Sequence, residues 1–155
     1  MIKAKDFAWQ AENGGYIGIP YSVLDCQAFV EKVLRDCDLS KNWRGSNDMW
    51  RNAVYDARPI DGSIKPGEWV FTIKHDGKED KSRYKDGVNA AHVGIYVGGG
   101  RVIHSTNGGV QWDSVGSPRW THCAKAHCLD YEEMTEKEML KAIYQKICGG
   151  NENDH

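Results

Sequence analysis

No apolar stretch in this chain of 155 residues approaches membrane-spanning length, and Met1 to Gln10 lacks the hydrophobic centre of a secretory leader. The sequence therefore predicts a soluble protein, synthesised in the cytoplasm without a signal peptide and without membrane insertion. Charge of one sign is not in excess either: 20 Lys and Arg stand against 22 Asp and Glu. A near-balanced chain carries no broad positive field, which argues against nucleic acid as a partner, and any polymer it binds must be recognised locally. Internal repeats, low-complexity tracts, a phosphate loop and a dinucleotide fingerprint are all missing, so no nucleotide or other cofactor is expected. Cysteine is present in odd number, five, so a complete internal disulfide framework is excluded and at least one thiol is free.

What is there suffices for one core. A chain with 40% hydrophobic residues can close one compact unit but is short for two, and residues 1–148 are expected to form a single domain followed by a flexible tail, 149–155. Glycines and Pro20 make residues 13–22 a loop that stops at Asp25, a good helix cap. Phe29, Val30, Val33, Leu34 and Cys37 then recur at helical spacing. A second short helix is expected over 47–56 around Trp50 and Val54. The run from Glu68 to Ile73 follows a Pro-Gly turn signal and predicts a strand. Residues 74–90 are charged and read as a long hairpin loop. Strands at 92–97 and 101–105 flank a triple glycine turn, and another is expected at 109–115. Thr135 and Glu138 form a capping box for a closing amphipathic helix carrying Met139, Leu140, Ile143, Tyr144 and Ile147. Consecutive strands between helices make the class α+β.

Cys26 falls in the first turn of the helix capped by Asp25, where backbone N–H groups and the helix dipole favour a thiolate. A nucleophilic thiol needs a base. His92 opens one strand and His104 ends the next, so the hairpin would bring them to the same end, one orienting the other. Held at Nδ1 by its partner, the base would turn Nε2 toward the thiol. Each residue alone has an ordinary reading, as plain core or as a hydrogen-bonded structural histidine. His122, Cys123, His127 and Cys128 form a further cluster, but their spacing does not match the usual zinc knuckles and no metal is assigned.

Three ordered blocks resemble the motifs of NlpC/P60 cysteine peptidases: Tyr21 to Val30 (YSVLDCQAFV), Lys65 to Phe71 (KPGEWVF) and His92 to Ser105 (HVGIYVGGGRVIHS). The resemblance implies a papain-like α+β core, with the helix bearing the nucleophile packed on a central antiparallel sheet. It implies Cys26 as nucleophile, His92 as base, His104 as the third polar residue, and Tyr21 as a hydroxyl near the nucleophile. It also implies peptidoglycan stem peptides as substrate, cut between D-glutamate and a diamino acid. Two features depart from the family pattern: Gln27-Ala28 replaces a small Ser-Gly pair, and the tract between Tyr21 and Asp25 is short. Trp43, Arg44, Trp50, Arg83 and Tyr84, with Lys85, are candidates for substrate binding, against the plain alternative of a solvated loop. The setting expected is a phage or prophage lysin or virion-associated enzyme acting on the cell wall. An N-acetylmuramoyl-L-alanine amidase, or an amidase or acyltransferase on a non-wall substrate, and an inactive structural or binding module of a phage particle, are the competing readings.

Overall fold

A computed structural model describes residues 1–132 and 136–148. Its centre is a six-stranded sheet, antiparallel throughout, in the order β1-β6-β2-β3-β4-β5. The strands are β1 (Val54–Pro59), β2 (Trp69–Lys74), β3 (Asn89–Gly98), β4 (Arg101–Thr106), β5 (Gly109–Ser114) and β6 (His122–Ala126). Helices α1 (Ala4–Asn13), α2 (Cys26–Asp36) and α3 (Ser46–Asn52) pack on β3, and α4 (Glu136–Cys148) follows the sheet. The α+β class and the sheet-bound helix of Cys26 are as the sequence implied.

Strand alternation divides the interior in two. Trp69, Phe71, Val93, Ile95 and Ile103 face the helices and meet Phe7, Phe29, Val30, Val33 and Leu34. Val70, Tyr96, Val102 and Cys123 turn to the other face, where Trp120 covers them. The α2 helix starts where the sequence placed it because the Asp25 carboxylate accepts from the Ala28 N–H at 2.8 Å. Such a cap contributes about 1 kcal/mol. Between β3 and β4, Gly99 and Gly100 have φ of 63° and 77°, the left-handed pair that a two-residue hairpin turn demands.

The structure adds two elements and corrects two expectations. First, α1 is an element for which the sequence carried no expectation, although Ala4, Phe7, Ala8 and Ala11 follow helical spacing and are buried. Three of those four are alanines, which give little hydrophobic contrast, while bulky Trp9 is 64% exposed off the face. Second, the helix expected over 47–56 ends at Asn52, and Val54 to Pro59 becomes edge strand β1. That strand shows no clean alternation and contains Asp56 at φ 55°, which hides its character. Third, β6 is a strand of Cys, Ala and Lys with modest intrinsic preference, held in place by pairing on both sides. Fourth, α4 forms, but Met139, Leu140, Ile143, Tyr144 and Ile147 are exposed, so it does not close the core. The helical face of the sheet is already covered by α1, α2 and α3. The Thr135–Glu138 box and the 149–155 tail lie outside the described residues.

One charged contact anchors the second core. Glu68, fully buried before β2, accepts from both Nη atoms of Arg58 at 2.9 and 3.0 Å and from the Lys65 backbone N–H at 2.8 Å. Bidentate geometry satisfies both oxygens of a carboxylate that burial would otherwise penalise heavily.

Candidate active site

Cys26 is the first residue of α2, buried, and the backbone N–H groups of Val93, Gln27 and Cys26 itself point at its sulfur. Val93 is the residue after His92, so the helix start is set directly against the strand that carries the base. A second tie fixes the same spot: the buried Ser105 hydroxyl, at the end of β4, donates to the Leu24 carbonyl just ahead of the cap. The start of α2 is thus held to β3 and β4 by backbone and buried groups.

His92 and His104 share one sheet face. The β3–β4 register pairs Ile95 with Ile103 and Tyr96 with Val102, which continues to Gly94 opposite His104 and makes the two histidines diagonal neighbours. His92 Nε2 lies 2.7 Å from His104 Nδ1. This corrects the sequence expectation on one atom: the held nitrogen of His92 is Nε2, which leaves Nδ1 for the nucleophile. Gly94 makes the approach possible, since a Cβ there would stand 2.9 Å from the Trp120 ring and 3.1 Å from the His104 Cβ.

The buried setting alters the expected charge state. Burial pushes the Cys26 thiol up to about 11, outweighing the N–H groups that favour its anion, with Asp25 adding to the rise. Burial likewise pulls His92 down to about 3 and His104 to about 4, helped for both by the Arg119 cation and opposed by Asp113. Burial thus disfavours both the thiolate of Cys26 and the imidazolium of His92, against the pull of the helix start toward an anion.

Tyr21 is 45% exposed, and its phenol is raised first by burial and then by Cys26 and Asp25. The other aromatic candidates are engaged elsewhere. Trp43 packs edge-on to Trp69 at 5.5 Å, its N–H held by Glu31, and Trp50 packs on Phe71 at 5.1 Å. Arg44 is exposed with its N–H on Asp48, Arg83 pairs with Asp80 at 3.7 Å, and Tyr84 lies under the Arg51 guanidinium at 4.0 Å. Gln27 donates to the Trp43 carbonyl at 3.0 Å, so the larger residue after the nucleophile braces the loop before α3.

Asp113, Arg119 and Trp120 carry no motif in the sequence that marks them as site residues. Trp120 stacks against His92 (5.4 Å, 26°) and meets His104 edge-on (5.1 Å, 82°). Only the neighbouring glycine in His92-Val93-Gly94 hinted at such a close layer. The cluster at 122–128 disperses: Cys123 lies buried beside Glu68, pushed up to about 12, His122 meets Trp50, and His127 stacks on Tyr55. No group of three or more metal-ligating side chains converges among the described residues.

The sequence pattern of the NlpC/P60 family matches residues 4–128. Among curated relatives, "Probable endopeptidase p60" of Listeria grayi is 28% identical over 120 residues, which are 73% of this chain and 20% of that protein. "Probable endopeptidase" of Haemophilus influenzae is 27% identical over 122 residues, 78% of this chain and 68% of the other. The chain thus spans about a fifth of the length of the Listeria protein. The fold is similar to that of the P60 domain of a Mycobacterium avium subspecies paratuberculosis antigen, with TM-score 0.55, 17% identity, and coverage of 83% of this chain and 96% of that one. It is also similar to the peptidoglycan hydrolase RipB of Mycobacterium tuberculosis, with TM-score 0.55, 18% identity, and coverage of 83% and 67%.

Proposed function

Because the chain belongs to the NlpC/P60 family, we propose that it is a cysteine peptidase of peptidoglycan stem peptides, with Cys26 as nucleophile, His92 as base and His104 orienting His92. The observation that carries this reading is the 2.7 Å contact of His92 Nε2 with His104 Nδ1, on a strand whose next N–H meets the Cys26 sulfur. It leaves His92 Nδ1 as the nitrogen for the thiol. As the sulfur attacks the scissile carbonyl, its proton passes to His92, and the Cys26 backbone N–H and the Tyr21 hydroxyl stabilise the oxyanion. His92 then protonates the departing amine, and a water it activates hydrolyses the thioester. The bond assigned is that between D-glutamate and a diamino acid, and residues 1–148 act as one catalytic unit. The enzyme acts on the cell wall, as a phage lysin or virion-associated enzyme.

Incubation with purified peptidoglycans of differing stem peptides, followed by mass analysis, tests the substrate. Fragments ending in D-glutamate are expected. Stem peptides released whole from muramic acid would instead mark an amidase, and an intact wall would refute wall hydrolysis.

The depressed histidines also predict an acid response. Their folded values lie below the ordinary 6.5, so between about 3 and 6.5 the unfolded chain binds more protons than the folded one. Stability from this source is complete above 6.5 and lost as pH falls toward the folded values. Thermal melts should show Tm falling as pH drops below 6.5, with a smaller fall in a His92→Asn/His104→Gln double variant.

A further inference from the structure

We propose that Asp113 and Arg119, with Trp120 between them, are positioning residues that decide which nitrogens of the two histidines carry protons and tune, with opposite signs, how readily His92 accepts the Cys26 proton. The inference rests on the Cys26–His92 reading and extends it to residues on β5 and in the segment before β6.

Arg119 Nη1 lies 3.4 Å from His104 Nδ1. A guanidinium has only donors, so the Nδ1 it faces presents its lone pair. That lone pair also faces His92 Nε2 at 2.7 Å, which places a proton on His92 Nε2 and leaves His92 Nδ1 unprotonated. With Nδ1 as acceptor, the His104 proton sits on Nε2, which points at Asp113 Oδ2, 3.9 Å away. This separation is too long for a direct hydrogen bond, but it suits an electrostatic contact or one bridging water. The two imidazoles thus share one direction, with the Asp113 carboxylate near the His104 end and the unprotonated His92 Nδ1 at the other.

The same Asp113 oxygen has two further neighbours. It accepts from Trp120 Nε1 at 3.0 Å and lies 3.7 Å from Arg119 Nε. Trp120 is the surface against which His92 rests, so the carboxylate that faces His104 also holds the wall behind His92. Gly94 leaves room for that wall. The charged groups acting on the pair are Asp113 from β5 and Arg119 from the following segment, while Asp25 and Tyr21 act on Cys26 at the start of α2. In the proton transfer the S–H bond breaks, an N–H bond forms at His92 Nδ1, and the electron pair stays on sulfur. The imidazolium so formed is stabilised by the Asp113 anion and opposed by the Arg119 cation.

Alkylation of Cys26 by iodoacetamide, followed in the full chain by mass spectrometry of the Cys26 peptide, tests this without needing a substrate groove. Asp113→Asn keeps an acceptor for Trp120 while removing the charge. It should slow alkylation near neutral pH about tenfold and move the acid limb of the rate profile to lower pH. Arg119→Gln keeps a donor for His104 while removing the cation, and it should do the reverse: faster alkylation and an acid limb moved upward. A purely structural role would not move the two variants in opposite directions. Unchanged rates in both, or shifts of the same sign in folded protein, would overturn the proposal. His92→Asn separates the premise: it should slow Cys26 alkylation near neutral pH more than Asp113→Asn does, and its failure to do so would refute the Cys26–His92 pairing itself.

Discussion

Cys26→Ala is expected to end wall hydrolysis, with a fall of about four to six orders of magnitude, while the folded structure persists. The reason for the first effect is chemical: no other thiol stands at a helix start against the His92 strand, and no thioester forms without one. The reason for the second is steric. The change deletes one buried atom at a position where Asp25 still caps α2 and Ser105 still holds Leu24, so the loss of stability should be about 1 kcal/mol. His92→Ala should fall nearly as far, and His104→Ala less, by about ten- to a hundredfold, because in the proposed mechanism His104 acts only through His92. Turbidity clearance beside a thermal melt reads both quantities. Clearance by folded Cys26→Ala at the original rate would remove the mechanism.

The largest stability effect is expected at Glu68→Ala, which should destabilise the fold by about 3 kcal/mol. Removing the carboxylate leaves the Arg58 guanidinium, whose side chain is 19% exposed, without the bidentate partner it meets at 2.9 and 3.0 Å. It also frees the Lys65 N–H in the turn that leads into β2. Arg58 retains Asp56 at 3.7 Å, so the cost falls at the lower end of what broken buried pairs show. Replacing both partners, Arg58→Met with Glu68→Leu, should restore much of the loss, because no unpaired charge is then left inside. Urea unfolding at constant slope measures both variants, and a single-variant loss below about 1 kcal/mol would contradict this account.

The elements legible in the sequence are those whose stabilising forces are local. Asp25 and the apolar spacing from Phe29 to Leu34 mark α2, and the three glycines after Val97 mark the turn that aligns β3 with β4. The elements that escaped depend on distant partners. The α1 helix is held by small alanines against β3, and β1 and β6 are strands chiefly because each finds another strand beside it. The α4 helix shows the converse, since its apolar pattern was plain while its burial was not a property of its own sequence.

The pairing of His92 with His104 and the place of Cys26 at a helix start were readable because capping and hairpin geometry act over short stretches of chain. Which nitrogen of His92 is held, that burial disfavours charge on both the thiol and the imidazole, and that Asp113, Arg119 and Trp120 stand around the histidines were decided only by the tertiary structure. The physical reason is that side-chain identity and local backbone preference travel with the sequence. Desolvation and the field of neighbouring charges do not: they arise when segments far apart in the chain exclude water from the same small volume.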